Sequence, residues 1–235
     1  MNNSFVNTAR LLGAGLRALL VLTVVTGVIY PLVVTGIAQA AFSGKANGSE
    51  IKADGKVVGS SLIGQQYNLP LKKGQTSPDP DLKWFQSRPQ NGLGTNSVNT
   101  RYSLILSGAT NLSADSGAVK GKCPDKPADK TLCAQVLAAK AAVVQDNSVP
   151  GYTVKPSDVP ADAVTSSGSG LDPDISTDYA DLQVHRVAAK NGLSVAQVEK
   201  LVKDHTSGRT LGFMGEPRVN VLELNIALKD LVAKK

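Results

Sequence analysis

The sequence predicts an α+β domain carried behind one transmembrane helix, and three observations predict it. No charged residue occurs from Ala18 to Gly44. Two short β-prone runs then flank the turn signal Asp54-Gly55. Capped helical segments fill the C-terminal half, and short helices with one apolar face must pack on those β-prone runs.

The apolar run is nearly unbroken from Leu19 to Ile37. At about 1.5 Å per residue, roughly 20 apolar residues span the ~30 Å hydrocarbon layer. The sequence therefore divides into an N-terminal segment 1–17, a transmembrane helix 18–42 and a soluble domain 43–235. Arg10 and Arg17 precede the helix, and no acid occurs before Glu50. Lys45 and Lys52 follow it but are interspersed with Glu50 and Asp54. This asymmetry favours a cytoplasmic N-terminus and an extracytoplasmic domain. A second reading stands beside it, because Ala38-Gln39-Ala40 has the small-x-small form of a signal-peptidase site. The apolar run is longer than a signal h-region usually is. Pro31 removes one backbone donor within the helix and is expected to bend it. Gly13, Gly15, Gly27 and Gly36 leave room for another helix to approach.

Residues 43–64 read as a hairpin-like start. From Leu69 to Thr100 the chain turns rich in Pro, Gly, Asn and Ser, a loop pinned by Trp84-Phe85. Aromatic residues are 4% of the chain and Trp84 is the sole tryptophan, so the core must be built mainly from Val, Leu, Ile and Ala. Cys123 and Cys133 are the only cysteines. They read either as a disulfide closing a short loop outside the cell or as two free thiols.

Four helices follow. Leu132 to Gln145 is Ala-rich. Thr177 to Lys190 has Ser176 as N-cap and Gly192 as its stop. The third starts at Ser194, with Gln197 completing a capping box and Leu193 facing Val198, and ends before Gly208. The last is capped by Asn220, with Glu223 at its third position and an apolar set from Val221 to Leu228.

Composition excludes some functions. The net charge is +6, but the basic residues are dispersed among acids, with no stripe suited to nucleic acid. The two histidines, His185 and His205, each fall on a predicted helix among polar neighbours. No serine lies in a nucleophile elbow and no Gly-rich loop ends in Gly-Lys-Ser or Gly-Lys-Thr. Asp172-Pro173-Asp174 lacks the spaced ligands of a calcium loop. Gly92-Leu93-Gly94 lacks the third glycine of a dinucleotide fingerprint. Asp129-Lys130-Thr131 echoes the phosphorylation motif of P-type pumps, but Leu132 and Cys133 replace what should follow. The domain reads as a binding or assembly module with no catalytic residue and no metal site.

The order of several strings narrows this further. Thr26-Gly27-Val28-Ile29-Tyr30-Pro31-Leu32 lies in the membrane run, followed by Ala46-Asn47-Gly48-Ser49, Gly59-Ser60-Ser61-Leu62-Ile63-Gly64-Gln65 and Trp84-Phe85-Gln86-Ser87-Arg88-Pro89. Thr165 to Ile175 (TSSGSGLDPDI) and Gly215 to Asn225 (GEPRVNVLELN) complete the series and are the most specific. Together, over about residues 17–230, they resemble the C-subunit family of the Kdp potassium-transporting ATPase.

The resemblance implies a retained anchor through Tyr30-Pro31 and a noncatalytic subunit of a four-part pump. Its partners would be a channel-like potassium-binding subunit, a P-type ATPase subunit and a small membrane subunit, with lipid around the helix. ATP and potassium would be bound at the level of the complex. The subunit would support assembly and, as a catalytic chaperone, raise the ATPase subunit's affinity for ATP. The nucleotide proposal falls on Ser107, Gly108, Thr110 and Asn111, where Ala109 and Thr110 depart from the family's Ser-Gly-Gly-Ser-Asn-Leu. An outward domain also sets that segment across the bilayer from cytosolic ATP. Gln65, Arg88, Asp172 and Asn225 are expected to hold loops or touch partners, with Gly27, Tyr30, Pro31 and Gly36 in the helix. The stretch 68–83 and the Cys123 to Cys133 segment depart from the family pattern. A membrane-tethered or secreted solute-binding module is the alternative function.

Overall fold

The computed structural model describes residues 3–75, 78–89, 107, 108, 112, 118, 119 and 122–235. Gly92 to Gly94 and the pair Thr110 and Asn111 lie outside them. The chain forms two compact units, Met1–Glu50 and Ile51–Lys235.

The first unit is helical, comprising α1 (Asn3–Val24), a π-helical turn Val25–Ile29 and α2 (Tyr30–Ala46). It is long and apolar enough to cross a membrane. The helix extends past the apolar run on both sides, since residues such as Ala, Leu and Arg favour helix and no proline precedes Pro31. The wide turn sits directly before Pro31, where Tyr30 N–H donates to Val25 O. A proline cannot donate to the preceding turn, and widening the helix there accommodates its ring. Helical dihedrals lapse again at Phe42 (φ −140°, ψ 41°).

The second unit begins with the hairpin β1 (Glu50–Ala53) and β2 (Lys56–Ser60). Asp54 and Gly55 have φ of 52° and 74°. Two positive values in succession are what a two-residue turn matching the strand twist requires, and Asp-Gly tolerates them. On either side of residues 76 and 77 the chain is joined by main-chain bonds, Leu69 N–H donating to Asp79 O at 2.8 Å and Asp81 N–H to Tyr67 O at 2.9 Å.

Helix α3 (Leu132–Asn147) runs two residues past the predicted Gln145. Its last residue is held in place, because Asn147 is buried and its side chain is bonded within the core. Thr131, the end of the Asp129-Lys130-Thr131 echo, is the N-cap of α3 and accepts from Ala134 N–H at 3.2 Å. A disulfide joins Cys123 to Cys133 across a Cα separation of 5.3 Å.

The remaining strands make an antiparallel sheet in the order β3 (Asp174–Ser176), β5 (Arg218–Asn220), β4 (Thr206–Ser207). Two strands pass straight into helices. Ser176 ends β3 and caps α4 (Thr177–Asn191), while Asn220 ends β5 and caps α6 (Val221–Ala233). Gly192 closes α4 in the left-handed conformation (φ 62°), and α5 (Val195–Asp204) opens with the Ser194–Gln197 capping box. Ile175, Tyr179, Val187, Val198, Val219, Leu224 and Leu228 form the centre of the core, with Phe85 and Tyr67 inserted from the loop side.

Candidate functional site

The three fully buried polar residues, Gln183, Arg186 and Asn225, converge on one stretch of loop among the described residues. Asn225 on α6 is fully buried and brackets Phe85, accepting from Phe85 N–H at 2.9 Å and donating to Phe85 O at 2.9 Å. Gln183 on α4 does the same for the next residue, accepting from Gln86 N–H at 2.7 Å and donating to Gln86 O at 3.1 Å. A strand would meet these main-chain groups with another strand; here two side-chain amides replace it. Buried backbone groups must be paired, and this pairing lets an irregular segment lie in the interior.

Arg186, three residues after Gln183 on the same face of α4, binds the approach to that segment. Its guanidinium is fully buried and donates to Trp84 O (2.9 Å), Asn147 Oδ1 (2.8 Å), Gln183 Oε1 (2.6 Å) and Leu82 O. Burial pushes its pKa down to about 10, so it stays cationic at neutral pH. The guanidinium fork reaches carbonyls on two chain segments at once, which a lysine ammonium has no geometry to do.

The far end of the segment is pinned in turn. Ser87 Oγ donates to Gln65 O at 2.8 Å, and Gln65 Nε2 donates to Val58 O at 2.9 Å. Arg88 pairs with Asp172 at 2.9 Å and donates from Nε to Thr165 O at 3.3 Å. Asp172 Oδ1 also accepts from Asp174 N–H at 3.0 Å, which sets the entry into β3. Gln65, Arg88, Asp172 and Asn225 are therefore brought together, all on the 84–88 segment. Gln183 and Arg186 were not among the expected residues. Their signal is the buried face of α4, where they share the spacing of Tyr179, Leu182 and Val187.

The other sequence-predicted positions are spread elsewhere. Gly27, Tyr30, Pro31 and Gly36 lie in the N-terminal helix, exposed on its surface. Ser107 Oγ and Gly108 N–H both donate to Ser169 O, at 3.1 and 2.9 Å. The donors that a phosphate would seek at this pair are thus turned onto a carbonyl. His185 stacks on Tyr152 with ring centroids 3.7 Å apart, and His205 Nδ1 lies 2.9 Å from Leu201 O at the end of α5. Beside His185, Asp181 faces Asp178 and Glu199, and burial followed by their repulsion raises its carboxyl pKa. Among the described residues no group of three or more His, Cys, Asp or Glu is placed to hold a metal ion.

The chain is thus an α+β domain behind one helix long and apolar enough to cross a membrane, with its deepest polar groups fixing a loop. Sequence relatives specify the family. The family described as K+-transporting ATPase, c chain, matches residues 12–230. The potassium-transporting ATPase KdpC subunit of Streptomyces avermitilis is 75% identical over 99% of each chain. Its counterpart in Streptomyces coelicolor is 72% identical over 99% of this chain and 98% of the relative, and that of Mycobacterium tuberculosis is 41% identical over 92% and 96%. The chain belongs to the KdpC family, the accessory C subunits of the potassium-transporting ATPase.

Proposed function

We propose that this chain is the outward-facing assembly subunit of an ATP-driven potassium pump, held beside its partners by one retained membrane helix. The observation that carries this reading is the clamp on residues 84–88, which commits the most deeply buried polar side chains to shape. The partners are the pump's channel-like potassium-binding subunit, its P-type ATPase subunit and its small membrane subunit. Hydrolysis of ATP belongs to the P-type subunit, and potassium and ATP are ligands of the complex.

The segment 1–17 is the cytoplasmic end, 18–42 the span and 43–235 the outer domain. Arg10 and Arg17 support this direction through the positive-inside bias, and the Cys123–Cys133 disulfide suits an oxidising compartment. Protease added to intact cells should degrade the domain if this orientation is right. Degradation only after lysis reverses it.

The function is tested by expressing the other three subunits with and without this chain. The expected result is loss of the purified complex and of its potassium-stimulated ATPase activity when the chain is absent. Full recovery without it would overturn the reading. The further role as a chaperone that raises ATP affinity is separable: calorimetry of ATP with the purified chain tests a direct contact through Ser107 and Gly108, and absence of heat removes it.

A further inference from the structure

Between β4 and β5 the chain runs out into a hairpin tip, residues 208–217, that is exposed throughout. Its apex carries three large apolar side chains, Leu211 (78% exposed), Phe213 (70%) and Met214 (46%). The tip is held in shape. Thr210 and Met214 exchange both main-chain hydrogen bonds, at 2.9 and 3.0 Å, and Arg209 pairs with Glu216 at 2.7 Å across the base.

Leu211 is disfavoured in isolation on two counts. Its side chain stands in water, and its φ of 54° lies in the left-handed region, which Gly or Asn adopts more readily than a leucine. Neither the core nor the loop clamp makes use of this apex. A backbone outlier carrying an exposed apolar side chain points to use by something outside the chain.

The charges around the tip identify the kind of partner. Arg209 is neutralised by Glu216, and Arg218 by Asp174 at 2.9 Å, so the arginines flanking the apex are each paired with a carboxylate. Residues 208–217 contain no Trp, Tyr or Lys. A segment that docks on lipid normally carries interfacial aromatics or unpaired basic residues facing the headgroups. A neutral knob of Leu, Phe and Met fits an apolar protein pocket, where each flanking ion pair remains on the solvated rim.

We infer that the β4–β5 hairpin tip is a docking knob that inserts Leu211, Phe213 and Met214 into an apolar pocket on another subunit of the same pump. This rests on the assembly reading above and adds to it a surface and its chemistry. The hairpin is small, so it acts as one anchor within a wider contact.

The test co-expresses full-length variants with the three partner subunits and measures how much partner copurifies with the tagged chain. Phe213→Ser should lower recovery at least about tenfold, as removal of a central apolar anchor does. Leu211→Asn should lower it several-fold while the purified chain melts at the same or a higher temperature, because Asn relieves the left-handed backbone. A purely structural role would move both readouts in the same direction, and that result overturns the inference. Normal recovery with both variants also overturns it, and if deleting the chain still abolishes assembly, the assembly reading survives alone. Assembly without the chain defeats both. A tryptophan placed by Phe213→Trp reports lipid: added emission quenched by brominated phosphatidylcholine, with the chain alone in vesicles, assigns the tip to the membrane and overturns the protein pocket.

Discussion

The loop segment 84–88 and the hairpin tip 208–217 are opposites in chemistry and in exposure. The first is irregular backbone taken into the interior, with Asn225, Gln183 and Arg186 buried to receive it. The second is a tight turn carried into solvent, with Leu211, Phe213 and Met214 at its apex. Buried polar groups are retained where they complete hydrogen bonds that the fold itself needs. Exposed apolar groups add nothing to the folded chain, so their value lies in an encounter. The two regions separate what makes the domain fold from what it offers to others.

That separation is broken or sharpened by substitution. Arg186→Met should have the largest effect, because it removes a buried donor from each of Leu82 O, Trp84 O, Asn147 Oδ1 and Gln183 Oε1. Gln183 Oε1 and Trp84 O keep a second donor in Gln86, but Leu82 O and Asn147 Oδ1 do not, and about 3–5 kcal/mol of stability is expected to go, a large share of what a domain has. Chemical denaturation should show it as a lower midpoint at unchanged slope. Asn225→Leu unpairs both main-chain groups of Phe85 and should cost about 2–4 kcal/mol, measured the same way.

Gly59→Ala comes next. A Cβ there would overlap Gln65 Nε2 and approach Leu222 Cδ2 to 2.7 Å, so both side chains must shift and the Gln65 bond to Val58 O is strained, at about 1–3 kcal/mol. Phe213→Ser, by contrast, should change stability by no more than about 0.5 kcal/mol. A loss as large as that of the clamp variants would erase the distinction between the regions.

The smallest effect is electrostatic. Burial and the neighbouring Asp178 and Glu199 raise the Asp181 carboxyl in the folded state. Its charged form is therefore disfavoured by folding, and its unfavourable contribution is present at neutral pH and fades as pH falls through the raised value. Asp181→Asn should stabilise at pH 7 by up to about 0.5 kcal/mol after solvent screening, and by nothing near pH 3. A gain independent of pH would show that charge is not the cause.

Much of this fold was legible because its signals are local. Ser176, Ser194 and Asn220 announce their helices by the chemistry of the first turn, and Asp54-Gly55 announces its hairpin by the same logic. The clamp was only half legible. Asn225, Gln65, Arg88 and Asp172 lie in strings that the family resemblance brings forward, whereas Gln183 and Arg186 carry only the spacing of the apolar residues of α4, which marks a buried face without saying what they bind. Their burial depends on a loop about a hundred positions earlier in the chain, and no local pattern encodes that partner. The hairpin tip has no such signal, because nothing in the spacing of Leu211, Phe213 and Met214 between glycines says that the turn carries them outward.

The wide turn at Val25–Ile29 has a consequence of its own for the membrane helix. It takes up one residue more than an α-helical turn would, and every side chain beyond it is rotated accordingly. In a uniform helix Gly15 and Gly36 would point within about 60° of each other, at roughly 100° per residue; with one residue absorbed, they diverge to about 160°. The helix before the turn and the helix after it therefore present Gly15 and Gly36 in different directions. Making the turn regular α-helix at unchanged length, which Pro31→Ala favours, would bring them back to within about 60° of each other.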